Sequence, residues 1–437
     1  MKETRAAFAL LIFIIIAHVA FLLPDSEKSL EVSRSYSVTT CPGPINDAKL
    51  TALIPAKSIG IRDLTRKASG FSTPSVGNPN NLKSAFVIAG NPNDTLEIQS
   101  KSSSWTGATI CGSGDASSWF VGGTADVTSR SKLILVNSGL SDAIVEVTVF
   151  NETGSKSPES ITVKALSERV IRVDSLDPGS ASLVLNVKTI GGRITSYFLD
   201  ERVRGLKNIG GDFVAPILEP DVIQVIPGLF AKYGSAGKLN HTLRLMNVSD
   251  VDSTASVEIV STDGVYIPVN LSEIKLSARQ VREIPIKDLD LGRANFGLRI
   301  ESEAPLVASV FTELTSGNIS DFVWSTPGIP FQQIGFNLYG LEPAVTLIGE
   351  KIDVTVEIRT RDGKKVTKNL AGDEIVNWKF PANTRLVKII NRTQASGAIS
   401  WVSNDGITSL ALNPAASLES AAKPIADISV IQSRTQR

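Results

Sequence analysis

Few residues in this chain have the type and spacing to do chemistry. Cys41 and Cys111 are its two cysteines, and His18 and His241 its two histidines. His18 lies inside an apolar run and His241 stands alone at the start of a strand, so neither a Ser-His-Asp nor a Cys-His set can be assembled. His241 is expected at a surface or a sheet edge. Ser272-Glu273-Ile274-Lys275 has the S-x-x-K spacing of acyl-transferring serine enzymes. Its K-T-G and S-D-N companions are missing and its setting reads as strand, so it is expected to be a surface turn. Gly234-Ser235-Ala236-Gly237-Lys238 approaches a phosphate-binding loop, but Lys232 stands where a Gly is needed and Leu239 replaces the metal-binding hydroxyl.

Carboxylates are the one abundant catalytic group. Hydrolysis of a glycoside needs two of them about 5–9 Å apart across a cleft. Asp373-Glu374 and the Asp288/Asp290 pair fall in expected loops, and nothing in the sequence sets them across a cleft. Trp105, Trp119, Trp324, Trp378 and Trp401 are expected to pack in cores rather than to stack on sugars. Asn93, Asn151, Asn240, Asn247, Asn270, Asn318 and Asn391 begin N-x-[ST] sequons, which matter only in a eukaryotic secretory route. No catalytic, cofactor-binding or metal-binding residue is assigned, and the chain is expected not to be an enzyme and to carry no cofactor. The assigned site residues are Cys41 and Cys111, read as a structural disulfide because no C-x-x-C spacing or neighbouring His suggests a reactive thiol. Closing a loop of about 70 residues would restrict the unfolded chain by about 4 kcal/mol.

Forty-four Lys and Arg balance 44 Asp and Glu among 437 residues. Nucleic-acid binding calls for a surplus of cations on one face, so no nucleic-acid partner is expected. The run Ala6 to Leu23 follows Lys2 and Arg5 and ends at Pro24. At 1.5 Å per residue it reaches about 27 Å, enough for a hydrocarbon core. With the cations before the run and Asp25 and Glu27 after it, the N-terminus is expected in the cytoplasm. The expectation is therefore a single-pass cell-membrane protein with the bulk of its chain extracytoplasmic, where a disulfide is stable. A cleaved signal peptide is the rival reading, disfavoured by His18 at the small-residue site before the would-be cut.

The elements that must position these residues repeat along the chain. Leu133-Ile-Leu-Val-Asn137 returns as Leu243-Arg-Leu-Met-Asn247, about 110 residues on. Val145-Glu146-Val147 returns as Val257-Glu258-Ile259, and Thr153-Gly154 as Asp263-Gly264. Leu166-Ser167-Glu-Arg169 matches Leu276-Ser277-Ala-Arg279, and Arg172 matches Arg282. A fainter third copy contains Val356-Glu357-Ile358 before Asp362-Gly363. Ile352, Val354, Val356 and Ile358 alternate with Asp353, Thr355, Glu357 and Arg359, a period of two that means strand with one buried face. Turn-forming Gly punctuates the strands. The predicted fold is all-β: tandem immunoglobulin-like antiparallel β-sandwich domains after an N-terminal transmembrane helix. The boundaries read as 1–24 for the anchor, 25–118 for a disulfide-bearing β-rich cap, and 119–217, 218–327 and 328–437 for three repeats, the last divergent. Pro216, Pro220 and Pro227, then Pro327, Pro330 and Pro343, are read as stiff linkers that make a rod. Trp119-Phe120 is expected to pack beside the disulfide.

Taken together, Cys41-Pro42, Cys111, Trp119-Phe120-Val-Gly122-Gly123 and the strand pattern at Asn137, Val145-Glu146-Val147 and Gly154 resemble an uncharacterised family of actinobacterial membrane-anchored envelope proteins. The resemblance implies an envelope location and no known activity. The expected function is non-catalytic binding or scaffolding at the bacterial cell envelope, toward a protein or polysaccharide partner. The alternatives are a glycan-acting enzyme using carboxylates and an adhesin-like structural protein.

Overall fold

Ile352, Val354, Val356 and Ile358 are buried along the strand Ala344–Thr360, while Asp353 and Glu357 are exposed on its other face. The same alternation buries Val145, Val147 and Val149 in Ala143–Asn151. Period-two patterning has become sheet throughout. The structure, a computed structural model, describes residues 33–35, 38–55, 60–65, 71–89, 95–101, 104–234, 237–287, 291–317, 319–403, 406–414 and 419–421. Among them the chain is all-β, with two three-residue 3-10 turns and no α-helix. The sheets are antiparallel.

The chain divides into two units. In the smaller, residues 1–36 and 419–437, the strand Ser33–Ser35 pairs with Glu419–Ala421. Among its described residues the larger, residues 37–418, holds six sheets. One runs Val38–Cys41, Phe86–Ala89, Gly60–Asp63, and another Pro79–Leu82, Lys49–Leu53, Leu96–Lys101, Trp105–Ile110. Next come Ser167–Arg172, Lys132–Asn137, Ile194–Arg204, Lys207–Val214 and, sharing a core with them, a sheet built on Ala143–Asn151, Val184–Gly191 and Ser117–Val121. An eight-stranded sheet is organised by the long strand Phe296–Ser316, which pairs first with Ser253–Ser261 and then with Lys238–Asn247. The last sheet is organised by Ala344–Thr360, flanked by Thr384–Asn391 and Ser396–Val402.

The repeated residues have a mechanical role. Asn137 Nδ2 donates to the Ser141 carbonyl at 2.9 Å, and its Oδ1 accepts from the Gly139 N–H at 2.8 Å. Asn247 makes the same pair of bonds to Val251 and Ser249 (2.6 and 2.9 Å), and Asn391 to Ala395 and Thr393 (2.8 and 3.0 Å). Each Asn ends a strand and closes the turn that leaves it, the geometry for which a short amide side chain is suited. Asn391 follows the Val356–Ile358 segment, whereas Asn137 and Asn247 precede their Val-Glu strands, so the last group of strands has a different order. Register also corrects one equivalence. Leu135 faces Arg169 and Leu245 faces Arg282, and Arg169 and Arg282 each donate to the carbonyl seven residues back, Thr162 and Lys275. Arg282 rather than Arg279 is thus the counterpart of Arg169. Arg279 instead adopts the positive φ (54°) that Leu166 adopts (50°) in the other copy.

Several other expectations are overturned. No helix among the described residues is long and apolar enough to cross a membrane, which removes the support for a single-pass transmembrane location. Ala6 to Leu23, on which that expectation rested, lies outside the described residues. The successive groups of strands do not touch only their chain neighbours: Phe322 and Trp324 enter the core formed by residues 120–214, and Leu53, Leu96 and Ala108 enter the core of the last sheet. Trp119 packs against Phe150 with tilted rings and centroids 5.6 Å apart, in a different cluster from the disulfide, which lies among Leu50, Ala52, Ile54, Ile61, Phe86 and Ile88.

His241 is buried rather than superficial. Its Nδ1 lies 2.9 Å from Thr312 Oγ1 and its ring meets the Phe296 ring edge-on. Burial lowers its pKa from 6.5 to about 4, partly opposed by a backbone hydrogen bond at Phe230. Because the folded pKa lies below the unfolded one, the neutral imidazole's stability is present above pH 6.5 and is lost as pH falls toward 4. The loss is on the order of 3 kcal/mol. In urea titrations at pH 7 and 4.5, His241→Gln should remove most of this difference relative to the parent chain. An identical pH dependence in both proteins would refute it.

Candidate functional site

The Pro-rich stretches read as linkers line a cleft. Its volume is 1140 Å³, and its walls are drawn from distant parts of the chain: 109–115, 215–225, 327–330, 348–351 and 410–414 all contribute residues. Sites for drug-sized ligands run to about 300–1,000 Å³, so this one suits something larger.

The first wall is fixed by the disulfide. Cys41 and Cys111 are bonded, with Cα atoms 4.8 Å apart and 70 residues between them. Beside the bridge, the Thr40 N–H donates to the Gly112 carbonyl at 2.7 Å. The Gly112 N–H in turn donates to the Tyr197 hydroxyl at 2.8 Å, and that hydroxyl donates to the Thr40 carbonyl. The segment Cys111 to Asp115 is therefore clamped both covalently and by hydrogen bonds. On the second wall, Ile217 and Trp119 exchange backbone bonds of 2.8 Å each. On the third, the Gly328 N–H donates to the Val225 carbonyl at 2.9 Å, and Asn413 bridges Ile329 N–H and the Pro327 carbonyl. On the fourth, Arg299 is held between Glu258 and Glu374, both at 2.8 Å.

Chemically the cleft is apolar with an acidic rim. Leu218, Ile223 and Ile329 stay 39%, 53% and 50% exposed. Asp115, Glu219, Asp221, Glu350 and Asp373 also line it. Burial lifts the Asp115 pKa from 3.8 to about 6. Gln224, 4% exposed, donates its Nε2 to the Leu306 carbonyl at 3.2 Å, while its Oε1 has no partner.

The sequence candidates distribute unevenly around this feature. Asp373 lines the cleft, Glu374 is engaged by Arg299, and Asp288 and Asp290 lie outside the described residues. Ser272 Oγ donates to the Val269 carbonyl at 2.9 Å and Lys275 is exposed on a short strand, a surface turn as expected. In the glycine-containing loop, Gly237 N–H donates to the Tyr233 carbonyl at 3.1 Å; Ser235 and Ala236 lie outside the described residues. Trp105, Trp324 and Trp401 are buried, and the first two donate their indole N–H to Glu201 and Asp200. Of the sequon asparagines, Asn151, Asn247 and Asn391 are buried and engaged in turns. Among the described residues, one grouping of potential metal ligands, Cys41, Glu97 and Cys111, has its ligand atoms within 4.8 Å of one another. Its sulfurs are bonded to each other, and burial pushes the Glu97 carboxyl well above its usual pKa and so disfavours the ionised form a ligand needs; the donors do not fit a metal ion. Asp115, Gln224 and the exposed apolar residues escaped sequence reasoning. The available signal was Ile217-Leu218-Glu219-Pro220-Asp221, apolar and acidic residues held between prolines.

A buried ionic cluster lies elsewhere in the same unit. Arg244, 2% exposed, donates to the carbonyls of Gly123 (2.7 Å) and Leu183 (3.0 Å) and pairs with Glu283 at 2.6 Å. Its guanidinium lies 4.7 Å from the Trp324 ring centroid. Trp324 in turn donates its backbone N–H to Asp212 and its indole N–H to Asp200, both at 2.9 Å. The cluster ties the strands of 238–325 to those of 117–214.

An all-β protein with a disulfide-clamped cleft is the class that this geometry defines. Residues 99–369 match a family of unknown function (DUF5719), and the chain belongs to that family. No curated protein matches it.

Proposed function

We propose that this chain is a non-catalytic binding or scaffolding protein whose partner, a protein or a polysaccharide, seats in the cleft. The observation that carries the reading is the cleft itself: large, walled by several sheets, and retaining exposed Leu218, Ile223 and Ile329 among carboxylates. Apolar side chains left exposed in a polar-rimmed concavity are what a binding site requires. We read residues 119–217 and 218–327 as related immunoglobulin-like sandwiches, supported by the shared strand-end Asn turn, with the strands of 38–110 and of 333–411 packed against them; in this reading the sandwiches are the scaffold and the loops between them the binding surface.

Photo-crosslinking from the cleft tests this. Benzoylphenylalanine placed at Ile329 in cells should capture a discrete species, and the same residue at the fully exposed Leu206 should not. Capture from Leu206 alone, or from neither site, would count against the reading.

A second reading, an enzyme acting on glycans through carboxylates, is favoured by Asp115, whose pKa near 6 is in the range of a general acid. Release of oligosaccharides from purified polysaccharide that disappears with Asp115→Asn would establish it in place of the first.

A further inference from the structure

We propose that the partner presents an extended polypeptide segment bearing Lys or Arg side chains between small apolar ones. The inference rests on the binding reading above and names the chemistry of what the cleft takes. Its polar groups are overwhelmingly acceptors. Asp115, Glu219, Asp221, Glu350 and Asp373 line it, and none is in an ion pair among the described residues. Arg299 is already neutralised by two carboxylates, Glu258 and Glu374, which leaves Lys351 as the cation without an ion pair among the described lining residues.

An incoming segment must therefore supply positive charge. It must also cover apolar surface, since Leu218, Ile223 and Ile329 line the cleft and stay exposed. Ammonium and guanidinium groups on an extended segment with intervening Val or Thr satisfy both demands. An acidic peptide meets like charge, and a neutral glycan leaves the carboxylates without counter-charge.

The test uses the full oxidised chain and a fluorescein-labelled peptide, (Lys-Thr-Val)4, against (Glu-Thr-Val)4 and fluorescein-labelled dextran, read by anisotropy. The lysine peptide should bind at least tenfold more tightly than either. Its affinity should fall with added salt and drop at least fivefold in Asp221→Asn/Asp373→Asn, with the melting temperature of the variant unchanged. Equal binding of the lysine and glutamate peptides, or lysine binding that ignores the double substitution, would overturn the proposal. Glutamate peptide or dextran binding that Ile329→Trp abolishes would overturn the cationic partner and leave the cleft standing as a binding site. Failure of all three probes to bind at 1 mM would count against both.

Discussion

Replacing both cysteines, Cys41→Ala with Cys111→Ala, should destabilise the larger unit by about 4 kcal/mol, the loop-entropy value for about 70 enclosed residues. The effect has two sources. The unfolded chain gains freedom, and the two fully buried sulfur positions lose their packing against Leu50, Ile54 and Phe86. The functional consequence is local. Cys111 to Asp115 forms one wall of the cleft, and without the covalent clamp that wall is held by hydrogen bonds only, those among Thr40, Gly112 and Tyr197 together with Cys111 N–H to the Thr95 carbonyl and Asp115 N–H to the Ile194 carbonyl. Urea unfolding of the parent and the double variant under non-reducing conditions measures the loss. A difference below about 1 kcal/mol would mean that the bridge constrains little.

Arg244→Met should be comparably damaging, at about 4 kcal/mol, because it removes one partner of a buried polar network and keeps the others. The carbonyls of Gly123 and Leu183 lose their donor, Glu283 loses its counter-ion, and Trp324 loses the cation on its face. Arg244→Lys should rescue little, since an ammonium cannot reach two carbonyls and a carboxylate with the fork of a guanidinium. Since Arg244 joins strands of 238–325 to loops of 117–214, its loss should also broaden the unfolding transition as the two parts uncouple. A sharp transition with an unchanged midpoint would show the network to be dispensable.

Much of the local structure was legible in the sequence. The alternation at Ile352 to Ile358 and at Val145 to Val149 placed strands and their buried faces. The hairpin glycines sit where positive φ is required: Gly154 at 126° and Gly264 at 133° are conformations that a side chain would oppose. Even the burial of His241 was readable, because it lies two residues before Leu243 and four before Leu245 and so shares their face. Judged by its type alone, a lone polar residue at the end of an apolar pattern reads as a surface residue. The counterpart of Arg169 is hidden for a related reason: Arg279 at the expected spacing conceals a shift of register that the pairing of Arg282 with Leu245 exposes.

The cleft was not legible, and the cause is physical. Proline composition reports local stiffness but not what a stiff segment packs against, so Pro216, Pro327 and Pro330 read as linkers between separate bodies. In the folded chain they line the space where several sheets converge. Trp324 likewise gives no local sign that it completes a core begun at Phe120. Period-two patterning tells which face of a strand is buried, and the partner of that face is settled by contacts between residues far apart in the chain.

The central claim is that the cleft is the seat of binding. Hydrogen–deuterium exchange on the full oxidised chain, with and without saturating (Lys-Thr-Val)4 peptide, tests it most directly. Slower exchange confined to residues 109–115, 215–225 and 327–330 is the predicted result. Protection at the exposed turns around Val127 and Leu206 instead, or unchanged exchange along the cleft walls when the peptide is bound, would contradict it.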